Sequence, residues 1–105
     1  MKKIECIIKP ERLEKLKDAL LQEGIGGMTV SEVKGFGNEQ SRPDSYLFLP
    51  KTKVEIYCQD ETLDSLVHMI CRVCQTGKLG DGKIAVYDIQ DLVRIRTFEK
   101  GAMAV

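Results

Sequence analysis

Twice along this chain, the spacing of apolar residues switches from every second position to every third or fourth. This repeated switch constrains the fold more than any other feature. Two stretches alternate polar and apolar residues at every second position, as half-buried strands do. Each is followed by a stretch in which apolar residues recur at the 3.6-residue spacing of an amphipathic helix. A further short apolar segment follows each helix. The predicted elements are a strand at 2–9, a helix at 10–23, strands at 28–34 and 53–58, a helix from 60 to about 75, a strand at 83–89 and a short extended segment at 92–97.

Individual residues predict where these elements begin and end. Pro10 suits the first turn of a helix, where its missing N–H leaves no bond unmade. Gly24 suits a left-handed cap at the end of that helix, and Asp60 is a favourable N-cap for the second helix. In the second strand the alternation slips at 32–33, which predicts either a bulge or burial of both faces.

The order strand, helix, strand, strand, helix, strand predicts an α+β fold in one domain, 1–105, with the βαββαβ arrangement of a ferredoxin-like domain. Four strands then form an antiparallel sheet, and both helices cover one face of it. The other face needs a partner, and Ile7, Tyr57 and Tyr87 fall on or near it. We therefore expect self-association, with a solvated face carrying scattered apolar residues as the alternative.

Composition excludes several classes of protein. The 105 residues include 16 basic and 16 acidic side chains, so no general attraction to nucleic acid or to a membrane surface is expected. No apolar run is long enough to span a bilayer, and the N-terminal residues do not form a secretion signal. The four cysteines lack the spacing of a disulfide scaffold or a zinc site. We expect a cytoplasmic protein without a metal site, in which Cys71 and Cys74 are small buried apolar residues, with a redox pair as the alternative.

Residues 76–83, Thr-Gly-Lys-Leu-Gly-Asp-Gly-Lys, are the most informative stretch for function. Three glycines in six residues allow a tight turn whose N–H groups converge, which suits phosphate oxygens, and Lys78 and Lys83 add positive charge. The stretch is not a Walker A motif, because Ile84 stands where Ser or Thr would follow the lysine. On composition alone, an ordinary turn is the alternative.

Arg94 and Arg96 are two residues apart in the predicted extended segment, so both guanidinium groups would project to one side. Paired guanidinium groups can bind phosphate through parallel N–H donors. A pair of surface arginines beside acidic neighbours is the alternative. Together with the glycine-rich stretch and with Lys51, which follows a polar segment, the pair predicts a polyphosphate site.

Seven short motifs extend this argument over the whole chain. They are Met-Lys-Lys-Ile-Glu at 1–5, Ile-Ile-Lys-Pro at 7–10, Gly-Met-Thr-Val at 27–30, Val-Lys-Gly-Phe-Gly at 33–37, Leu-Pro-Lys at 49–51, Thr-Gly-Lys-Leu-Gly-Asp-Gly-Lys-Ile at 76–84 and Arg-Ile-Arg-Thr at 94–97. In this order they resemble the motifs of the P-II signal-transduction family. The resemblance implies a homotrimer of ferredoxin-like subunits that binds adenine nucleotides in the clefts between subunits.

The resemblance also implies a role for each matching residue. The nucleotide phosphates would be held by Gly80, Asp81, Gly82 and Lys83. The cleft around adenine, ribose and phosphates would be lined by Thr29, Gly35, Phe36, Gly37, Asn38 and Tyr57. From the neighbouring subunit, the phosphates would be reached by Arg94 and Arg96. ATP and ADP are the implied regulatory ligands, with AMP as a further candidate and magnesium as a candidate accompanying ion.

The chain departs from the family pattern in one loop. Typical members grip transporters and enzymes with a long loop, which here spans only 38–48 and is expected to be flexible. Lys51 matches the lysine that contacts 2-oxoglutarate in typical members, but Glu39 would repel a dicarboxylate unless a metal ion intervened. Glu39 and Lys51 are therefore candidates to bind another small effector, such as bicarbonate. Tyr46 lacks the sequence context of the tyrosine that is uridylylated in typical members.

The sequence thus predicts a P-II-like regulator, not an enzyme, that controls a transporter or an enzyme in nitrogen or carbon metabolism. Nucleotide binding would change which loop conformations are populated, and residues 98–105 would form a C-terminal tail. One alternative is a small acylphosphatase-type hydrolase, although 9–12 lacks the glycine-rich cradle that such an enzyme needs. Another is a regulatory module that senses amino acids or small anions without nucleotides.

Overall fold

A computed structural model describes residues 1–37 and 48–105 of the chain. It contains four strands, two α-helices and three short 3₁₀ segments. In chain order these are β1 Lys2–Ile8, a 3₁₀ turn Pro10–Arg12, α1 Leu13–Gln22, β2 Thr29–Gly35, β3 Leu49–Cys58, a 3₁₀ turn Asp60–Thr62, α2 Leu63–Cys74, β4 Lys83–Asp88 and a 3₁₀ turn Gly101–Ala104.

The four strands form one sheet in the order β2-β3-β1-β4, and every neighbouring pair is antiparallel. This topology confirms the predicted ferredoxin-like α+β fold. The predicted bulge at 32–33 is wrong, because β2 pairs with β3 without interruption from Thr29 to Gly35. β3 also begins at Leu49, earlier than predicted, since residues on both sides of Pro50 continue the pairing with β2.

The hydrophobic core lies between the sheet and the two helices. Alternate residues of the central strands point into it, and each helix contributes one apolar stripe, so the two sequence periods meet in one layer. At roughly 25 cal/mol per Å² of buried apolar surface, this layer is the main source of stability. Its buried members are Ile4, Cys6, Ile8, Leu16, Leu20, Val54, Ile56, Cys58, Leu66, Met69, Ile70 and Cys74.

The opposite face of the sheet, called the open face below, carries paired charges. Lys3 Nζ lies 2.8 Å from Glu55 and 5.5 Å from the centre of the Tyr87 ring, while Lys53 Nζ lies 3.5 Å from Glu5. The Lys3–Glu55 hydrogen bond raises the pKa of Lys3 and lowers that of Glu55. The placement of tyrosines on this face is as predicted, since Tyr87 and Tyr57 both stand opposite Lys3 in the register.

The first helix ends with the cap that its sequence predicts, but the second helix lacks the N-cap that its sequence predicts. Gly24 has a φ of +78°, and Ile25 N–H donates to the Leu20 carbonyl across 3.0 Å, which closes a Schellman-type cap. Asp60 makes no side-chain cap to α2. Its carboxylate instead accepts a 2.6 Å hydrogen bond from the positively charged amino group of Met1. Local sequence patterns do not reveal this contact, because the two residues are far apart in the chain.

The C-terminal arm, residues 92–105, corrects the predicted extended segment at 92–97. Residues 95–97 form a turn, and the Arg94 carbonyl accepts the N–H of Phe98 across 2.8 Å. An isolated bridge joins Val93 to Lys100, so the arm folds back on itself. Alternation over a few residues did not reveal this turn, which needs a positive φ of 61° at Phe98.

In the described part of the chain, no helix has the length and apolar character needed to cross a membrane.

Candidate ligand-binding site

The central loop, residues 75–82, is organised by the carboxylate of Asp81. That carboxylate accepts the N–H of Thr76 at 2.8 Å and the N–H of Gly77 at 2.9 Å, and it also accepts the Thr76 hydroxyl. Lys9, at the end of β1, places its ammonium 3.2 Å from Asp81 and 3.1 Å from the Thr76 hydroxyl. These groups, with the Thr76 hydroxyl first, hold the pKa of Asp81 well below its usual range. The Asp81 carboxylate therefore stabilises the conformation of the central loop itself.

Gly82 fixes the central loop against the backbone of β1. Its φ is +100°, and a Cβ atom at this position would lie 1.6 Å from the carbonyl oxygen of Ile7. Only glycine allows two backbones to approach so closely. The next residue, Lys83, opens β4 directly opposite Ile7, and its side chain is exposed.

The central loop borders a cavity of about 480 Å³, called the Lys83 cavity. Asp81, Gly82 and Lys83 line it from the loop side. The end of α2 lines the other side with Cys71 and Cys74. Cys74 is buried as predicted, but the prediction is wrong for Cys71, which is exposed. Burial raises the pKa of Cys74, so its thiol stays protonated near neutral pH.

A second cavity, of about 510 Å³, lies at the opposite end of the sheet and is called the Thr29 cavity. Thr29 and Glu55 are paired in the register of β2 and β3, and both line it together with Tyr57. Arg94 reaches the same cavity from the C-terminal arm. Three of the predicted site residues therefore meet within one chain.

Arg94 is held in place by the C-terminal arm. Its Nη1 lies 3.1 Å from Glu99, which also accepts the Thr97 hydroxyl at 2.8 Å, and its Nη2 donates to the Val105 carbonyl across 3.1 Å. Arg96 is exposed in the turn, and the described lining of the Thr29 cavity includes Arg94 but not Arg96. The expectation that both arginines project to one side of an extended segment is thus wrong, because the backbone turns between 95 and 97.

The remaining predicted residues lie at the base of the loop that joins β2 and β3. Gly35 ends β2 opposite Leu49, and the rings of Phe36 and Phe48 are centred 5.9 Å apart, so the two sides of the base are in contact. Lys51 lines a third cavity, of about 360 Å³, together with residues of β2. Asn38, Glu39, Tyr46 and most of the predicted flexible loop 38–48 lie outside the described residues.

The predicted site residues therefore form two groups at opposite ends of the sheet. β2 spans seven residues from Thr29 to Gly35, which corresponds to about 20 Å along the strand. Lys83 stands in the same row of the sheet as Ile7, Lys53 and Ser31, two residues beyond the row of Thr29. The central loop precedes Lys83 and therefore extends further in the direction of Gly35, along the other edge of the sheet. One chain does not unite the two groups in a single described cavity.

Sequence reasoning missed two residues that shape these sites. Glu55 places a carboxylate at the Thr29 cavity, and Lys9 neutralises Asp81 in the central loop. Glu55 was visible only as a polar residue of an alternating strand. The partnership of Lys9 with Asp81 joins residues 72 positions apart, a distance over which local patterns carry no information.

Among the described residues, no cluster of three or more His, Cys, Asp or Glu side chains is arranged to hold a metal ion.

Residues 1–99 match the family model for the nitrogen regulatory protein P-II. The chain belongs to the P-II family. It is similar to nitrogen regulatory protein P-II 1 of Escherichia coli (strain K12) and of Salmonella typhimurium (strain LT2), with 47% identity over 112 residues and complete coverage of both chains in each case. Nitrogen regulatory protein P-II of Pasteurella multocida (strain Pm70) is 46% identical, also over the full length of both chains.

Membership in the P-II family confirms the predicted type of protein. The chain is a signalling protein of nitrogen regulation and not an enzyme, so the acylphosphatase alternative is excluded. The alignment with the Escherichia coli P-II protein covers 112 positions and all 105 residues of this chain, which leaves seven positions (112 less 105) without a residue here.

Proposed function

We propose that this P-II protein binds ATP and ADP, with AMP as a further ligand, in clefts between the subunits of a homotrimer. Nucleotide occupancy then switches the conformation of loop 38–48 and so controls a target protein, a transporter or an enzyme of nitrogen or carbon metabolism. The observation that carries the proposal is the division of the phosphate-binding candidates between opposite ends of one sheet. The protein acts in the cytoplasm.

A polyphosphate needs several donors that converge on it. Within one chain, Asp81, Gly82 and Lys83 line one cavity and Arg94 lines another, and the described linings of the two cavities share no residue. Two copies bring them together when the Gly35 end of one sheet approaches the Thr29 end of the next. A contact between unlike ends is heterologous, and its repetition forms a ring when the rotation between copies closes. The P-II resemblance implies a closed ring of three members. The open face, with Tyr57 and Tyr87, then points toward the other copies.

This geometry changes which residues each of the two subunits contributes to the proposed site. Sequence reasoning grouped Thr29 and Tyr57 with the glycines of the loop base and took the arginines from the neighbour. Because Thr29, Tyr57 and Arg94 share one cavity in one chain, the proposed site takes them from the same subunit. That subunit contributes Thr29, Tyr57, Arg94 and Arg96, and its neighbour contributes Gly35, Phe36, Gly37, Asn38, Gly80, Asp81, Gly82 and Lys83.

Asp81 takes an indirect part in this site. Its carboxylate binds the inner N–H groups of Thr76 and Gly77 and is neutralised by Lys9. Asp81 thereby fixes the shape of the turn. The phosphates are then bound by the backbone of Gly80 and Gly82 and by the Lys83 ammonium. Magnesium accompanies ATP in the site. Lys51 and Glu39 form a subsite for a small anionic effector such as bicarbonate.

The first test is a calorimetric titration of ATP, ADP and AMP into the protein and into an Arg94→Ala variant. The variant is expected to lose about 1.5–3 kcal/mol of nucleotide binding, the usual contribution of hydrogen bonds to charged groups. Lys15→Ala, at an exposed position of α1, is the matched charge control and should bind nucleotide like the unmodified chain. Unchanged affinity in Arg94→Ala would remove Arg94 from the site. Binding of amino acids but not of nucleotides would favour the module without nucleotides.

Mixed assemblies test whether two subunits share each site. Arg94→Ala and Lys83→Ala chains are unfolded together, refolded as a mixture and titrated with ATP. Each mixed trimer contains one interface with an intact Arg94 and an intact Lys83, so binding at the original affinity should return at about one site per mixed trimer. Arg94→Ala mixed with Arg96→Ala is the control, since both changes affect the same side of every interface. No recovery in the first mixture would show that one subunit holds the whole site.

A further inference from the structure

The C-terminal residues 101–105 lie across the Thr29 cavity, and we infer that they form a strap that competes with nucleotide phosphate for Arg94. This inference rests on the proposed function, because it concerns how access to the same site is regulated. Ala104 and Val105 line the cavity together with Thr29, Tyr57 and Arg94. The strap thus borders the proposed nucleotide site and engages Arg94, one of its donors.

Three hydrogen bonds anchor the strap. Gly101 N–H donates to the Leu92 carbonyl across 2.9 Å, where a φ of +65° at Gly101 turns the chain back. Gln59, immediately after β3, donates its side-chain amide to the Ala102 carbonyl across 2.6 Å. Arg94 Nη2 donates to the Val105 carbonyl across 3.1 Å. Gln59 and Arg94 therefore hold the strap from two sides of one cavity.

The two terminal nitrogens of the Arg94 guanidinium have different partners. One bond orients the guanidinium, and the other holds the strap. Nη1 is paired with the Glu99 carboxylate, which is itself fixed by the Thr97 hydroxyl. This pair orients the guanidinium and leaves Nη2 directed at the strap. A phosphate group presents several charged oxygens, which are strong acceptors for a guanidinium N–H. Phosphate can therefore compete with the Val105 oxygen for Nη2 while the bond to Glu99 is kept.

The strap is built to open at low cost. The 3₁₀ turn Gly101–Ala104 contains no buried residue, and Met103 is 70% exposed. Segments that bury few apolar groups open locally with small free energies. The apparent nucleotide affinity then equals the intrinsic affinity multiplied by the fraction of molecules whose strap is open. Any contact that holds the strap closed weakens nucleotide binding by this factor.

Gln59→Ala tests the inference in the full chain, because it releases the strap and leaves Arg94, Thr29 and Tyr57 in place. We expect this variant to bind ATP about two- to tenfold more tightly than the unmodified chain, the range that corresponds to loss of one hydrogen bond from the closed form. Gln22→Ala, at the exposed end of α1, is the matched control and should leave affinity unchanged. Hydrogen exchange gives a second readout, since ATP should accelerate exchange of the Gly101 and Val105 amides.

The outcomes separate this inference from the proposed function. Tighter binding by Gln59→Ala together with faster exchange at Gly101 and Val105 supports the strap. If the unmodified chain binds ATP and Gln59→Ala binds it equally well or more weakly, the strap does not compete with phosphate. Slower exchange of the same amides on ATP addition also overturns the inference, because the strap would then close over the nucleotide. Failure of both proteins to bind ATP overturns the proposed function and the strap with it.

Discussion

The central loop and the C-terminal arm flank β4 and are both rich in turns, yet they are stabilised differently. In the central loop, four donor groups converge on the Asp81 carboxylate, and Gly82 lies against the backbone of β1. Among the described residues, the arm is held by the Arg94–Glu99 ion pair, the Val93–Lys100 bridge, a few turn hydrogen bonds and the side-chain bonds of Gln59 and Arg94 to the strap. Ile95 and Phe98 in the arm are largely exposed. The comparison distinguishes a rigid cradle from an adjustable arm within one candidate site.

This difference suits two tasks. A loop that presents backbone N–H groups to an anion works best when its shape is fixed before the ligand arrives, because no ordering cost remains at binding. In the proposed site, the arm carries an arginine to a ligand shared with a neighbouring subunit, so it must adapt to both. The converging bonds at Asp81 provide the first property, and the sparse contacts of the arm provide the second.

The largest expected effect comes from filling the contact between the central loop and β1. Gly82→Ala would place a methyl group on the Ile7 carbonyl and force an unfavourable positive φ, so we expect a loss of about 3–5 kcal/mol in the free energy of unfolding. Urea denaturation measures this loss. Gly26→Ala is the matched control, since its new methyl group would meet no atom within 4 Å. Equal stability of both variants would mean that the loop is not fixed against β1.

An intermediate effect is expected from Asp81→Asn. The amide keeps the size of the carboxylate but loses its charge and one acceptor, and we expect a loss of about 1.5–3 kcal/mol in unfolding free energy at pH 7. Because the folded pKa of Asp81 is lowered, its stabilisation is fully present above the unfolded pKa of about 4 and declines as pH falls below it.

Urea denaturation at pH 7 and pH 3 checks both parts of this prediction. The difference between the unmodified chain and Asp81→Asn should shrink at pH 3. Asp18→Asn, at an exposed position of α1, serves as the control and should change stability little at either pH. A difference that stayed constant between the two pH values would show that the charge of Asp81 does not stabilise the loop.

The smallest effect on stability is expected in the C-terminal arm. Glu99→Gln removes the charge that faces Arg94, and this partly exposed pair should contribute only about 0.2–1 kcal/mol. Hydrogen exchange should nevertheless become faster at the arm's backbone amides, such as that of Phe98, without a change in the central loop. A loss of unfolding free energy as large as that of Asp81→Asn would contradict the contrast between the two regions.

The sequence predicted the fold better than it predicted the site. The strands and helices followed from periodicity, and the P-II motifs marked Thr29, Arg94 and the central loop as candidates. The turn at 95–97 was missed because a positive φ at Phe98, a residue that is not glycine, leaves no sign in composition. The grouping of Thr29 with Arg94 was missed because the arm folds back only through contacts with Glu99 and Val105.

The sequence by itself determined the order of the helices and main strands and the sheet face that their alternating residues occupy, because the two hydrophobic periods require the apolar side chains to be buried in one layer. The tertiary structure decided which distant groups meet. Lys9 reaches Asp81 and Ile7 lies against Gly82 only because antiparallel pairing brings the end of β1 to the start of β4. Gln59 reaches Ala102 only because the arm folds back. Such contacts depend on how elements pack, and packing is a property of the whole chain.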